Sequence, residues 1–344
     1  MGKFSLENYE RYSMTKCRPE EDRTDKTGAG ISRFKTVTVC VGESPVLTEN
    51  TLLKVSVQKW TGTPSETEAA LRSLASRYYR DEMVAGVVLD TCFTGDQKVR
   101  LLETVAEAFA PKRCFIPVDD GEMLDYALKH GIARGLLINV KENPYDCCEL
   151  MAENNAQRLY RQMPVFVSFE REEAALAKYA AQWHAAAVEN SGAAAGCRVA
   201  LRRLNYPDVL SSGGFAPLQF WWTNRGPSYC YEKTEVRLRL TQNGKTAAAF
   251  TTGDEPETIH LADRVYNRIL VLPQVPAGEY ELEYGVFDEN GKPLTLANKG
   301  EVSDGYYFAG PMHIDLRPRP EYEHIWDGYD MDGYYPLEDP AQPG

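Results

Sequence analysis

Acidic, amide and aromatic side chains stand directly behind a series of short apolar runs in this chain: Glu43, Trp60, Asp90, Asp119 with Asp120, Glu142, Glu170 and Asn205. Carboxylates brought together at one rim could act as a general acid and a general base. An aromatic ring beside them could offer a stacking surface. Each of these acids also has a structural reading, because Asp or Glu behind a strand commonly caps the next helix or complements its first turn. Glu170 opens the helical pattern EREEAALAKY, and Asp119-Asp120 precede another. Trp60 equally suits half-buried packing, and His184, next to Trp183, suits a packing histidine as well as a base.

The side chains matter only if a frame gathers the ends of the runs. Those runs are KTVTVCV (35–41), LLKVSVQ (52–58), VAGVVLD (84–90), RCFIPV (113–118), RGLLINV (134–140), PVFVSF (164–169) and CRVALRRL (197–204). Four are continuous aliphatic or β-branched stretches without polar alternation, as expected of parallel strands covered on both faces. Amphipathic helices alternate with them. Ser65 with Glu68 reads as a capping box ahead of a helix carrying Ala70, Leu71, Leu74 and Tyr78. Val99, Leu102, Val105, Ala106 and Phe109 make the next stripe. Leu124, Tyr126 and Leu128 make a shorter one, closed by His130 and Gly131. Ala177, Ala180, Trp183 and His184 mark an alanine-rich helix running to about 189. Strand and helix in alternation predict an α/β domain with a parallel sheet over 35–208, whose site would lie at the C-terminal ends of the strands.

From 209 to 318 the rhythm changes. LQFWWTN (218–224), TEVRLRLTQ (234–242), KTAAAFTT (245–252), RVYNRILVL (264–272), GEYELEYGVFD (278–288) and GYYFAGPMHIDL (305–316) read as strands with no helix between them. Glu235, Arg237 and Arg239 alternate with Val236, Leu238 and Leu240, giving one wet face and one dry one. Asn243-Gly244 supplies the positive φ of a hairpin turn, and Asn290-Gly291 a second. The pattern predicts an Ig-like antiparallel β-sandwich. The Pro-, Ser- and Gly-bearing NYPDVLSSGG (205–214) is the expected boundary. Alternation sends Phe220 and Trp222 into the sandwich interior and Trp221 to the other face, against the neighbouring domain or as a sugar platform. A polar segment (1–34) and an acidic, Tyr- and Pro-rich tail (319–344) flank the two domains.

With 344 residues, two domains are the expectation. A formal charge of −12 argues against nucleic acid and against an anionic membrane surface. No run approaches the ~18 apolar residues of a spanning helix, and no apolar leader opens the chain. Eight scattered cysteines without a C-x-x-C pair read as free thiols, and a cytoplasmic location is expected from them. No phosphate-cradling glycine loop, serine elbow or zinc spacing occurs, so no cofactor and no metal are expected. Asp327, Asp330 and Asp332 lack the order and closing glutamate of a calcium loop, and read as a solvated tail.

The second half resembles the C-terminal β-sandwich of bacterial glycoside-hydrolase-like proteins, a domain of unknown function that follows a (β/α) TIM-like barrel. The matching residues run in order: Ser212-Gly213-Gly214, Trp222-Thr223-Asn224-Arg225-Gly226, and the Tyr229/Tyr231 pair leading into Val236-Leu238-Leu240. Leu272-Pro273, Pro276-Ala277-Gly278-Glu279-Tyr280, Leu294–Gly300 and Asp304-Gly305-Tyr306-Tyr307 follow. The resemblance covers roughly 210–315 and thins over the first half. A complete barrel takes about 250 residues, so the resemblance implies a shortened or incomplete one. It also implies a carbohydrate ligand. In that setting Glu170 and Asp90 are the candidate catalytic pair, flanking a scissile glycosidic bond at about 5 Å separation for retention or about 6.5–9.5 Å for inversion. Trp60 is then the sugar platform, with Asp119, Asn139, Glu142 and His184 as further substrate-binding residues. The competing expectation is a degenerate active site: a carbohydrate-binding or protein-interaction scaffold that keeps the barrel shape without catalysis.

Overall fold

A computed structural model describes residues 14–21, 32–40, 43–59, 62–141, 143–171, 176–231, 233–252, 264–325 and 332–333; Trp60, Glu142 and most of the acidic tail lie outside them. The chain forms two compact units. One comprises 31–196 with 227–229; the other joins 1–30 to 197–226 and 230–344.

After a short strand, β1 (Met14–Cys17), the chain lays down seven strands: β2 (Lys35–Cys40), β3 (Thr51–Val57), β4 (Val84–Thr91), β5 (Arg113–Pro117), β6 (Gly135–Val140), β7 (Val165–Phe169) and β8 (Ala185–Glu189). They pair in sequence order, all parallel, as one curled sheet. Residues ahead of β2 reach the far strand, because Arg33 bridges Val188 in parallel and the Phe34 amide donates to the Val188 carbonyl at 3.2 Å. Helices α1 (Pro64–Tyr78), α2 (Gly95–Ala108), α3 (Gly121–Lys129), α4 (Pro144–Glu153) and α5 (Ala177–Gln182) connect the strands from β3 onward.

The continuous apolar runs have a plain cause. One side of each strand joins the helices in a core that includes Leu53, Val55, Val87, Ile116, Ile138 and Val167 with Leu71, Leu101, Val105 and Leu124. The other side carries a separate aromatic group, in which Phe166 packs at 4.7 Å from Phe34 and 4.3 Å from Phe115 between ring centroids. Gly86 and Gly135 make room for it, since a Cβ at either would stand 2.4 Å from the Phe115 ring.

Two expectations for this unit fail. The alanine-rich helix stops at Gln182; His184 takes a left-handed φ of 54°, and Ala185–Glu189 is the seventh parallel strand. The run 197–204 belongs to β9 (Val199–Pro207), which pairs antiparallel with β1 and lies in the other unit. Parallel pairing therefore ends with β8, ahead of the 205–214 stretch. A smaller difference lies at α1, where the capping box is Thr63 with Glu66, two residues earlier than Ser65 with Glu68, and Pro64 occupies the first helical position.

In the second unit β9 is followed by β10 (Val209–Ser211), β11 (Phe215–Asn224), β12 (Thr234–Gln242), β13 (Lys245–Thr251), β14 (Arg264–Val271), β15 (Gly278–Asp288), β16 (Glu301–Ser303), β17 (Tyr306–Asp315) and β18 (Asp332–Gly333). One sheet has the order β1-β9-β11-β14-β18, the other β10-β17-β15-β12-β13 with β16 beside β17. Apart from the parallel β10–β17 pair, all these pairings are antiparallel. Both sheets contribute to one core: Leu201, Leu204, Phe220 and Trp222 from the first, Val236, Leu238, Leu240, Leu282 and Ile314 from the second. Asn243 (φ 52°) and Gly244 (φ 70°) form the expected hairpin turn. Trp222 stacks with Phe220 inside, and Trp221 takes the opposite face with Arg203 and Arg202 at 4.7 and 5.0 Å from its ring centroid. On that face a side-chain amide chain crosses three strands, Asn205 donating to Gln219 at 2.7 Å and Gln219 to Asn267 at 2.8 Å. Asn205 is thus buried in the antiparallel sheet and takes no place at the ends of the parallel strands.

Among the described residues no helix is long and apolar enough to cross a membrane. No disulfide joins any of the eight cysteines.

Candidate functional site

The parallel strands carry their C-terminal ends to one mouth, where a cavity of about 740 Å³ opens. Its walls are polar: Thr36 and Thr38 from β2, Lys54 from β3, Asp90 from β4, Asn139 from β6, Ser168 from β7 and Glu189 from β8, with Lys98, Asp119 and Asp120 at the lip. Side chains alternate along a strand, so the residues on the apolar-helix side are excluded and every second one faces in.

Three acids of this mouth differ in how far they are held. Glu189 is held by β2 and β7: it accepts from the Thr36 amide at 2.5 Å, the Thr36 hydroxyl at 2.7 Å and the Ser168 hydroxyl at 2.8 Å. That carboxylate ties the last strand to the first. Asp90 accepts from Ser56 at 3.0 Å and Gln58 at 3.1 Å, and Lys54 stands 3.5 Å from its other oxygen. Asp119 is exposed, lines the cavity, and makes no hydrogen bond or ion pair to any described residue. Its neighbour Asp120 has the structural role, capping α3 through the Met123 amide at 3.1 Å and binding the Lys98 ammonium at 3.0 Å. Burial pulls the Lys98 ammonium down, but Asp120 and Glu122 outweigh it and leave its pKa above the ordinary lysine value.

Of the residues singled out in the sequence, Asp90, Asp119, Asp120 and Asn139 meet in this cavity. Glu170 does not: β7 ends at Phe169, and Glu170 is exposed outside the lining, its amide bonded to the Val140 carbonyl. His184 precedes β8, at the end of the strand away from Glu189. It stacks on Tyr160 at 3.8 Å with its Nδ1 on the Pro227 carbonyl, which is packing. Glu43 turns back onto the Cys40 amide. Trp60 and Glu142 lie outside the described residues.

Thr36, Thr38, Lys54, Ser168 and Glu189 were missed by a rule that inspects only the residue after each run, because inward-facing polar residues also sit inside the strands; Lys98 was missed because it reaches the lip from helix α2. The Cys147 thiol, packed behind Asn139, is poorly suited to act as a nucleophile at neutral pH. Cys147 lies 3.5 Å from the Asn139 carbonyl oxygen, and burial foremost pushes its pKa up to about 11. Among the described residues no group of three His, Cys, Asp or Glu could hold a metal ion.

No protein-family model and no curated protein matches the chain. Among solved structures, the CARDB domain of the PF1109 protein of Pyrococcus furiosus, in complex with di-metal ions, is 18 % identical over 35 % of this chain and 94 % of its own, with a TM-score of 0.22. β-Glucuronidase 2 of Bacteroides uniformis is 8 % identical over 89 % of this chain and 48 % of its own, TM-score 0.29. A β-glucosidase from Listeria innocua is 10 % identical over 88 % and 48 %, TM-score 0.25. The chain spans about half the length of these two glycosidases. At such TM-scores the functional reading rests on the side chains of the mouth alone.

Proposed function

We propose that this protein is glycoside-hydrolase-like and takes a carbohydrate into the mouth of its curled sheet. The observation that carries the reading is the pairing of one oriented carboxylate, Asp90, with one open carboxylate, Asp119, in a single cavity lined by hydroxyl, amide and ammonium groups. Sugars present hydroxyls that donate and accept in all directions, and a wall of Thr, Ser, Asn, Asp and Lys answers them in kind. A cavity of about 740 Å³ falls within the ordinary range of small-molecule sites, about 300–1,000 Å³.

In a catalytic version, Asp119 replaces Glu170 as the partner of Asp90. Asp119 has both oxygens open to exchange a proton with the leaving group, while Asp90, steadied by Ser56, Gln58 and Lys54, faces the sugar as nucleophile or base. The second reading is a binding scaffold without turnover, and a specific observation favours it: Asp90 and Glu189 already have partners within the protein, which leaves Asp119 as the mouth acid with none.

Hydrolysis of 4-nitrophenyl glycosides, with saturation-transfer NMR on the corresponding sugars, separates the readings. Turnover that falls at least about a hundredfold in Asp119→Asn, as expected for a lost general acid, supports catalysis. Sugar binding without turnover supports the scaffold. Absence of both across neutral, amino and uronic sugars contradicts the proposal.

A further inference from the structure

We infer that the mouth takes an oligosaccharide rather than a single sugar, and that Tyr145 is the platform for a unit lying outside the cavity on the side of β6 and β7. This rests on the carbohydrate reading and narrows it.

Tyr145 sits in the first turn of α4, which leaves the C-terminal end of β6. That turn packs on β6, whose Asn139 lines the cavity, the Cys147 thiol lying 3.5 Å from the Asn139 carbonyl oxygen. The Asn143 cap accepts from the Tyr145 amide at 3.1 Å and its side-chain amide donates to Asp146 at 2.6 Å, so the backbone under the ring is set. The ring itself is braced rather than loose. It meets Tyr179 at 5.9 Å in an edge-to-face contact. Tyr179 leans in turn on Trp183 at 5.6 Å, and both of these are buried.

Yet Tyr145 remains 64 % exposed, and among the described residues of this unit it is the one aromatic so exposed. An exposed, braced aromatic ring on the helix that follows β6, the strand that brings Asn139 to the cavity, offers what the cavity lacks. The described lining has no aromatic side chain. Hydroxyl recognition inside and ring stacking at the rim together fit a ligand of two or more sugar units. The cavity fixes the inner unit, and the outer unit lays its C–H face on the tyrosine.

Titration calorimetry on the full chain tests this with glucose, glucuronic acid and N-acetylglucosamine against the linear β-linked tetramer of each. The inner-unit variant Asp90→Asn and the rim variants Tyr145→Ala and Tyr145→Phe are compared with wild type. The tetramer of the sugar that binds is expected to bind more tightly than its monomer. Tyr145→Ala should remove about three- to tenfold of tetramer affinity, the scale of one aromatic contact, while leaving the monomer unchanged. Tyr145→Phe, which keeps the ring and loses only the hydroxyl, should retain the gain. A tetramer no tighter than its monomer, or a gain that survives Tyr145→Ala, overturns the platform and leaves the carbohydrate reading standing. Absence of binding by monomer and tetramer alike removes both.

Discussion

Phe115 closes the floor beneath the mouth because two neighbouring strands give up their side chains to it. A methyl group at Gly135 would stand 2.4 Å from the ring, closer than any carbon can come. Gly135→Ala should therefore cost about 1–3 kcal/mol, the usual scale of overpacking. A denaturation midpoint lowered at constant m-value checks it, and a midpoint equal to wild type contradicts it. Lys98 makes a pH prediction. Its folded pKa lies above the ordinary 10.5, so its pairing with Asp120 and Glu122 contributes fully below that value and fades as pH rises through the folded pKa. The stability gap between wild type and Lys98→Met should thus be constant from pH 7 to about 9 and shrink above about 10.5. A gap that grows with pH contradicts this. At this scale the sequence was informative where a polar residue ends a strand facing inward, as at Asp90. It misled at Glu170, where the alternation of Ser168 and Phe169 points the next side chain inward but the strand has already ended.

Glu189 shows what a single residue does for an element. Bonded to both groups of Thr36 and to Ser168, it holds β8 against β2 and β7. Glu189→Ala should cost about 2–3 kcal/mol, since hydrogen bonds to charged groups are worth about 1.5–3 kcal/mol each and the Thr36 amide loses its acceptor. Hydrogen exchange should show lost protection concentrated in β2 and β8; unchanged protection there contradicts the clamp. The strand that carries this residue was illegible. Ala185-Ala186-Ala187 has no β-branched signal, and three alanines beside an amphipathic helix read as more helix. Only the left-handed φ at His184 divides the two, and that follows from tertiary structure. β9 failed for the opposite reason. It is buried on both faces, between the core shared by the two antiparallel sheets and the face that carries Arg203 and Asn205, so its apolar run mimics a parallel strand. Hairpins with one wet face were read correctly, Glu235–Leu240 most plainly, because their period of two admits a single orientation.

The two compact units are not consecutive in sequence. β1, from the N-terminal segment, completes a sheet whose other strands follow the parallel unit, pairing Met14–Cys17 with Leu204–Pro207. A chain starting at residue 32 would leave the β9 edge unpaired, and open edges recruit other chains. That truncation should self-associate in light scattering and unfold at lower temperature; a monodisperse fragment with an unchanged midpoint contradicts the role given to β1. The alternation of strand and helix made a parallel sheet readable in the sequence, and the alternation of wet and dry residues made antiparallel strands readable after it. The joint between them was hidden, because a strand of one unit precedes the other. Across the whole molecule the central claim is that a sugar chain enters the mouth of the parallel sheet. Crystals of the full chain soaked with the best-binding tetrasaccharide test it most directly. The account predicts density between Asp90, Asp119 and Asn139, running outward over Tyr145. Sugar bound on the antiparallel sheets with the mouth empty would contradict it.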